Sequence, residues 1–209
     1  MSFLSLLIQN PVYFFVLAAL LLYSVIVHEV AHGWVALRFG DDTARRQGRL
    51  TLNPFNHIDP VGTLMLFVAG FGWARPVPVN YGRLRYARLA LFCVSLAGCL
   101  ANVLIAVCGI IVLRSPLAEM NPGLTAGLVL LVRINIILAA FNLIPIPPLD
   151  GSRILMSVLS PPAQERLARV EPYGFFILAF LLFTGALNPV IGIMEQLIYG
   201  GIGVLLGAG

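Results

Sequence analysis

Three long apolar runs, at residues 11–37, 89–113 and 124–144, most strongly constrain how this chain can fold. A membrane-spanning helix needs about 20 consecutive, mainly apolar residues, so each run is long enough to cross a bilayer. The whole chain is 59% hydrophobic and 11% charged, whereas soluble domains average about 45–50% and about 25%. The sequence therefore predicts an all-α polytopic membrane protein with a core of three spanning helices.

Two further apolar regions are too short or too interrupted to be read as ordinary spans. The run 61–73 predicts a re-entrant or interfacial segment, with a packed pair of strands as the alternative. Near the C-terminus, the turn-rich stretch 184–189 divides the apolar region at about 173–206, which predicts either two short membrane segments or one kinked helix. We expect a single domain over residues 1–209, with its core at about 11–155.

The arginines indicate how the chain is oriented in the membrane. Eight of them lie between the first and second runs, at positions 38, 45, 46, 49, 75, 83, 85 and 88, and three follow the third run, at 153, 166 and 169. The loop after the second run contains only Arg114 and Glu119 as charged residues. Because basic loops stay in the cytoplasm, we expect a multi-pass protein of the cell (inner) membrane with its N-terminus outside. We attribute the net charge of +4 to the arginines that set this orientation, and we expect no nucleic-acid partner.

The first apolar run contains the sequence His28-Glu29-Val30-Ala31-His32. Histidines at positions i and i+4 project from one face of a helix, so both imidazoles can reach one zinc ion, with Glu29 beside them as a base for water. Burying such groups in a membrane helix is unfavourable unless they are paired or bind metal. His28 precedes Arg38 by ten residues, which at about 1.5 Å per residue places it about 15 Å inside the cytoplasmic boundary.

A catalytic zinc ion takes three protein ligands, so a third ligand must come from another part of the chain. The candidates are His57, in the polar loop 53–60, and Asp150, which follows a proline-rich end to the third run. Pro145 and Pro147 break the helix there, and freed backbone groups at membrane depth are tolerated where they line a cavity or are buried in protein. Asp150 is the favoured third ligand, and His57 stays open as the alternative.

The motifs resemble those of the site-2 protease family of intramembrane zinc metalloproteases, in its minimal prokaryotic branch. The resemblance rests on HEVAH, on SLAGCLAN at 95–102 and on FNLIPIPPLDG ending at Gly151, together with NPFNHIDPVGTL and GWARPVPVN, and it covers roughly residues 13–155. Cys99 stands where many relatives have proline, which leaves the bend of the middle span open. With 209 residues, we expect no PDZ-like module and no nucleotide-sensing domain.

The resemblance implies specific roles for individual residues. Zinc, one ion per chain, would be held by His28, His32 and Asp150, with Glu29 as the general base. Asn142 would lie near the substrate carbonyl as an electrophilic or oxyanion donor. The proline-rich stretch with Pro145 and Pro147 would let an unwound substrate pair through its backbone.

Asn102 and His57 have less specific interpretations. Asn102 resembles the family's asparagine and is a candidate for substrate binding, with an interhelical hydrogen bond that serves packing as the alternative. His57 either lines or gates the site, or caps a turn before Asp59.

The sequence therefore predicts a zinc metalloendopeptidase that cleaves membrane-spanning or membrane-associated proteins within the lipid bilayer, on the cytoplasmic side. The alternative is a metal-binding membrane transporter or channel, because paired histidines and an aspartate also suit an ion path. Glu29 distinguishes the two, since hydrolysis requires a base beside the metal and a cation path does not.

Overall fold

The computed structural model describes residues 3–69 and 72–207. Within these ranges the chain forms α-helices, short 3₁₀ turns and connecting segments, and no β-strand. The α-helices are α1 (Phe3–Gln9), α2 (Pro11–Arg38), α3 (Thr43–Arg46), α4 (Pro60–Ala69), α5 (Ala87–Leu113), α6 (Pro116–Glu119), α7 (Pro122–Asn142), α8 (Asp150–Val158), α9 (Pro161–Val170), α10 (Gly174–Phe183) and α11 (Asn188–Leu205).

Three helices of the described chain, α2, α5 and α7, are long and apolar enough to cross a membrane. Two of them begin at an asparagine followed by proline, and the side chains of Asn10 and Asn121 accept hydrogen bonds from the N–H groups of Tyr13 and Leu124. Such caps satisfy N–H groups that have no partner within the helix. The predicted all-α membrane fold with three spans is confirmed.

The middle span, α5, packs against α2, α7 and α8. Its buried residues Ala106 and Val107 form a cluster with Val132 and Ile136 of α7 and with Ile202 of α11. Apolar side chains do not drive association within a bilayer, so close packing of small residues such as Ala106 contributes much of the attraction between these helices.

The predicted re-entrant run 61–73 forms the ten-residue helix α4, followed from residue 72 by an extended segment. Residues 70 and 71 of that run lie outside the described part of the chain. The helix spans most of the run, so the strand-pair alternative is wrong for the described residues. Ten residues at about 1.5 Å per residue extend only about 15 Å, half of the hydrocarbon thickness.

The C-terminal region forms two helical stretches that meet at 91°, Pro161–Phe183 and Asn188–Leu205, so the described chain contains up to four spans if this bent pair is one span. Pro189 is the second residue of the second stretch, and a proline in the first turn is compatible with a helix start but not with a helix that continues through from the preceding residues. The chain thus bends sharply between the two stretches, and both alternatives for this region, two short membrane segments or one kinked span, stay predictions. The end of α10 packs with Ile144, Leu149 and Leu187 close to the end of α7.

Candidate metal centre

Two histidines of α2 and the first residue of α8 form one cluster. The Nε2 atoms of His28 and His32 lie 3.1 Å apart. Oδ2 of Asp150 lies 3.1 Å from Nε2 of His28 and 3.2 Å from Nε2 of His32. Both histidines are buried and Asp150 is largely buried. Three potential ligand atoms therefore converge on one point, although Asp150 is more than a hundred residues away along the chain.

The proline-rich connection between α7 and α8 brings Asp150 to the histidines. Turn-like backbone hydrogen bonds join Ile146 N–H to the Ile144 carbonyl at 2.8 Å and Leu149 N–H to the Ile146 carbonyl at 2.9 Å. The next residue, Gly151, packs directly on this turn, because a Cβ atom there would lie 2.3 Å from the Leu143 carbonyl oxygen. Only glycine allows the start of α8 to approach so closely. Asp150 is thereby held at the depth of the histidines.

Each imidazole is oriented through its other ring nitrogen. Nδ1 of His32 lies 2.6 Å from the carbonyl oxygen of Val94, and Nδ1 of His28 lies 2.6 Å from Oδ1 of Asn102. A carbonyl can only accept, so His32 Nδ1 carries a proton, and in the neutral ring its Nε2 presents a lone pair to the cluster.

The two imidazoles also lie directly against α5 at Gly98. A Cβ atom on Gly98 would be 2.5 Å from Cε1 of His28 and 2.5 Å from Nε2 of His32. Any larger residue would therefore occupy space that the rings require. This glycine belongs to the SLAGCLAN motif, but the sequence alone did not assign it to the site.

The donor set fits a zinc ion. Asp150 Oδ2 is buried and faces the Nε2 atoms of both histidines, and in a neutral His32 that nitrogen presents a lone pair rather than a donor. Acceptor atoms so close together repel one another unless a cation lies between them. Ligands at about 2.0–2.1 Å from a tetrahedral zinc are about 3.3 Å apart, close to the observed separations. Two histidines and one carboxylate leave a fourth position open, as in catalytic zinc sites.

Glu29 lies beside this cluster, but its carboxylate binds a backbone N–H group from another segment. Its Oε2 accepts a hydrogen bond from the backbone N–H of Val77 at 2.9 Å. Val77 belongs to the extended segment 72–80, whose backbone is held by the buried Arg49. One guanidinium nitrogen of Arg49, Nη2, donates to the carbonyls of Arg75 at 2.8 Å and Pro76 at 3.1 Å. This support involves main-chain atoms of the segment, so no side-chain pattern in the sequence could have revealed it.

A cavity of about 320 Å³ opens beside the cluster. The lining includes His28, Glu29, Asn142 and His57, together with apolar residues of α2 and the beginning of α4. Asn142 Nδ2 donates to the Leu138 carbonyl at 2.9 Å. Because an amide nitrogen carries two hydrogens, a second one is available for a ligand in the cavity.

The other predicted site residues lie outside the ligand cluster, and of these only His57 lines the cavity. His57 is fully buried, with Nε2 2.8 Å from the Thr51 carbonyl, and it is not part of the ligand cluster. Asn102 is fully buried behind His28 and does not line the cavity. Pro145 is exposed, whereas Pro147 is buried close to Gly174, and neither lines the cavity.

The chain is similar to known proteins over most of its length. The family model of peptidase family M50 matches residues 109–185. The chain is 43% identical over 171 residues to "Putative zinc metalloprotease YwhC" of Bacillus subtilis, covering 78% of each chain. It is 35% identical over 172 residues to "Putative zinc metalloprotease Rip2" of Mycolicibacterium smegmatis, covering 80% of this chain and 66% of that relative. No solved structure matches the chain at a significant level.

The relatives named zinc metalloproteases align with most of the chain, from organisms as distant as bacilli and mycobacteria. Nothing among these similarities favours the transporter or channel alternative. The membrane spans, the cluster of two histidines and an aspartate, and an identity of 43% with a relative of which the chain covers 78% all lead to one conclusion. This chain belongs to peptidase family M50, the site-2 protease family of intramembrane zinc metalloproteases.

Proposed function

We propose that this protein is a zinc metalloendopeptidase of the HExxH type that hydrolyses a peptide bond of a membrane-spanning or membrane-associated protein. The observation that carries the proposal is the convergence of three ligand atoms next to a carboxylate that is not one of them. A purely structural or transporting metal site has no need of that additional carboxylate.

His28, His32 and Asp150 would hold the zinc ion. When bound, zinc supplies Lewis-acid chemistry toward a carbonyl oxygen and a water molecule. Glu29 accepts the proton of the attacking water and later delivers it to the leaving amine. The Val77 N–H holds one oxygen of Glu29 in place, so the other oxygen is free to carry this proton.

Asn142 would stabilise the negative charge that develops on the substrate carbonyl. It lines the same cavity as Glu29, and one N–H of its amide is not used by the bond to Leu138. Removal of one such donor typically lowers turnover by a factor of about 10²–10³. The apolar part of the cavity wall, which includes Leu21, Leu22 and Val25, suits the side chains of a membrane-embedded substrate.

We also propose the orientation that the arginines indicate. The segment 72–80 and α8 would face the cytoplasm, and the connection between α5 and α7 would lie outside. The active site would then be reached from the cytoplasmic half of the inner membrane.

The test is the Glu29→Gln variant, with zinc content and cleavage measured on the same purified protein. The amide preserves size but cannot accept the proton, so cleavage should fall by about 10²–10⁴ while zinc stays at one ion per chain. Glu119→Gln makes the same change at an exposed position outside the cavity and should cleave as the wild type does. Comparing membrane peptides from cells that carry each variant would identify the substrates.

Wild-type cleavage by Glu29→Gln, together with inactivity of His28→Ala, would contradict the proposal, because the base would then lie elsewhere.

A further inference from the structure

Three side chains from three membrane helices form a buried hydrogen-bonded network behind His28. They are Ser24 of α2, Asn102 of α5 and Asn135 of α7, and all three are at most 2% exposed. Such polar groups are expensive to bury in a membrane, so a network of this kind indicates a role beyond filling space. Neither Ser24 nor Asn135 has a part in the chemistry described above.

The network has one defined starting point. Nδ2 of Asn135 lies 2.8 Å from the carbonyl oxygen of Leu131 and 2.9 Å from Oγ of Ser24. A backbone carbonyl can only accept a hydrogen bond, so the amide nitrogen of Asn135 must face Leu131. The amide oxygen of Asn135 therefore points in the other direction, toward α5.

The amide oxygen of Asn135 and the backbone carbonyl of Ser24 together determine the orientation of the next amide. Nδ2 of Asn102 lies 2.8 Å from Oδ1 of Asn135 and 3.3 Å from the carbonyl oxygen of Ser24. Both neighbours are acceptors, so Asn102 must turn its nitrogen toward them and its oxygen toward His28. Oδ1 of Asn102 is 2.6 Å from Nδ1 of His28.

The last step concerns the imidazole itself. Because Asn102 presents an acceptor, Nδ1 of His28 must carry a proton, and in the neutral ring that binds metal Nε2 keeps its lone pair, facing Asp150 and His32. We propose that Asn135, through Asn102, is a positioning residue that fixes the tautomer and ring orientation of His28 as a metal ligand. The directions of these hydrogen bonds follow from two backbone carbonyls, those of Leu131 and Ser24. This inference rests on the metal centre proposed above.

The experiment measures metal binding by the full-length chain in detergent. Zinc affinity is obtained by competition with a chelator, and the visible spectrum of the Co²⁺-loaded protein reports ligand geometry. Asn135→Leu removes the acceptor that orients Asn102, and zinc affinity should fall by about 10–100-fold with an altered cobalt spectrum. Thr125→Val is the matched control. Thr125 lies ten residues before Asn135 on α7, and its hydroxyl group donates to the Ala118 carbonyl of α6 at 2.6 Å, so the variant deletes a hydrogen bond outside the network.

Asn135→Asp separates orientation from packing. In its protonated form, which burial in the membrane favours, this carboxyl group donates to the Leu131 carbonyl in place of the amide nitrogen and keeps an oxygen that accepts from Asn102. Zinc affinity and the cobalt spectrum should therefore stay close to those of the wild type. Asn135→Ala adds no bulk and provides the same readout as Asn135→Leu should the leucine variant fail to fold.

Wild-type zinc affinity and cobalt spectrum in Asn135→Leu or Asn135→Ala would overturn the inference. An equal loss in Asn135→Asp would also overturn it, because orientation of Asn102 would not be the cause. Absence of zinc from the wild-type chain would overturn the metal centre itself.

Discussion

Replacement of Gly98 by alanine should abolish the metal site through a single added methyl group. The new Cβ would lie 2.5 Å from Cε1 of His28, 2.6 Å from its Nε2 and 2.5 Å from Nε2 of His32. Ordinary contacts between such atoms are about 3.5–4.0 Å, so each ring would have to retreat by about 1 Å.

Neither ring can retreat without breaking another contact. His28 is bound to Asn102 and His32 to the Val94 carbonyl, each at 2.6 Å. Metal and catalytic groups must be held to within about 0.5 Å, and a misplacement of about 1 Å can reduce the rate about 10²-fold. Overpacking should also destabilise the fold by about 1–3 kcal/mol. We therefore expect Gly98→Ala to lose most of its zinc and at least about 99% of its activity.

The assay is metal analysis of the purified variant, with chelator competition and cleavage of a membrane substrate measured alongside. Gly127→Ala on α7 is the control, because a Cβ atom there meets nothing within 4 Å. It should bind zinc as the wild type does, with equal or slightly higher stability, since alanine is favoured over glycine in a helix by about 0.5–1 kcal/mol. A Gly98→Ala variant with one tightly bound zinc ion would refute the geometric reasoning.

Three further predictions concern the ligands, acid stability and topology. Asp150→Ala should lose most of its zinc in metal analysis, and His57→Ala should retain it, whereas the opposite pattern would make His57 the third ligand. Burial alone would raise the pKa of Asp41, but hydrogen bonds from Thr43 and from a backbone N–H outweigh burial and lower the pKa. At pH values above its ordinary pKa of about 3.9, Asp41 stabilises the fold, and this stabilisation is lost as the pH falls through the lower pKa of the native state. The midpoint temperature of thermal unfolding should therefore decrease more steeply with falling pH in the wild type than in Asp41→Asn. A reporter fused after Arg166 should read as cytoplasmic and one near Asn121 as external, and reversed signals would exclude the proposed orientation.

The spanning helices could be predicted from the sequence because the bilayer constrains each spanning segment separately. Every backbone group of a span must be satisfied within its own helix, so length and apolar content are sufficient to identify α2, α5 and α7. The pairing of His28 with His32 was predictable for the same reason, since a spacing of four residues brings side chains together on any helix. The third apolar run ends at residue 144, whereas α7 ends at Asn142, and this difference of about two residues arises because helix ends depend on local turns.

The remaining parts of the candidate site depend on contacts between distant segments. Sequence reasoning left His57 and Asp150 open as third ligands, and only the tertiary structure directs His57 toward Thr51 and brings Asp150 to the histidines. The contact between Glu29 and Val77 is made by a backbone N–H, which any residue except proline provides, so composition carries no sign of it. The orientation of Asn102 depends on a carbonyl of another helix. Periodicity and hydropathy record what each segment does alone, whereas ligand geometry arises from packing between segments, and only the folded chain determines it.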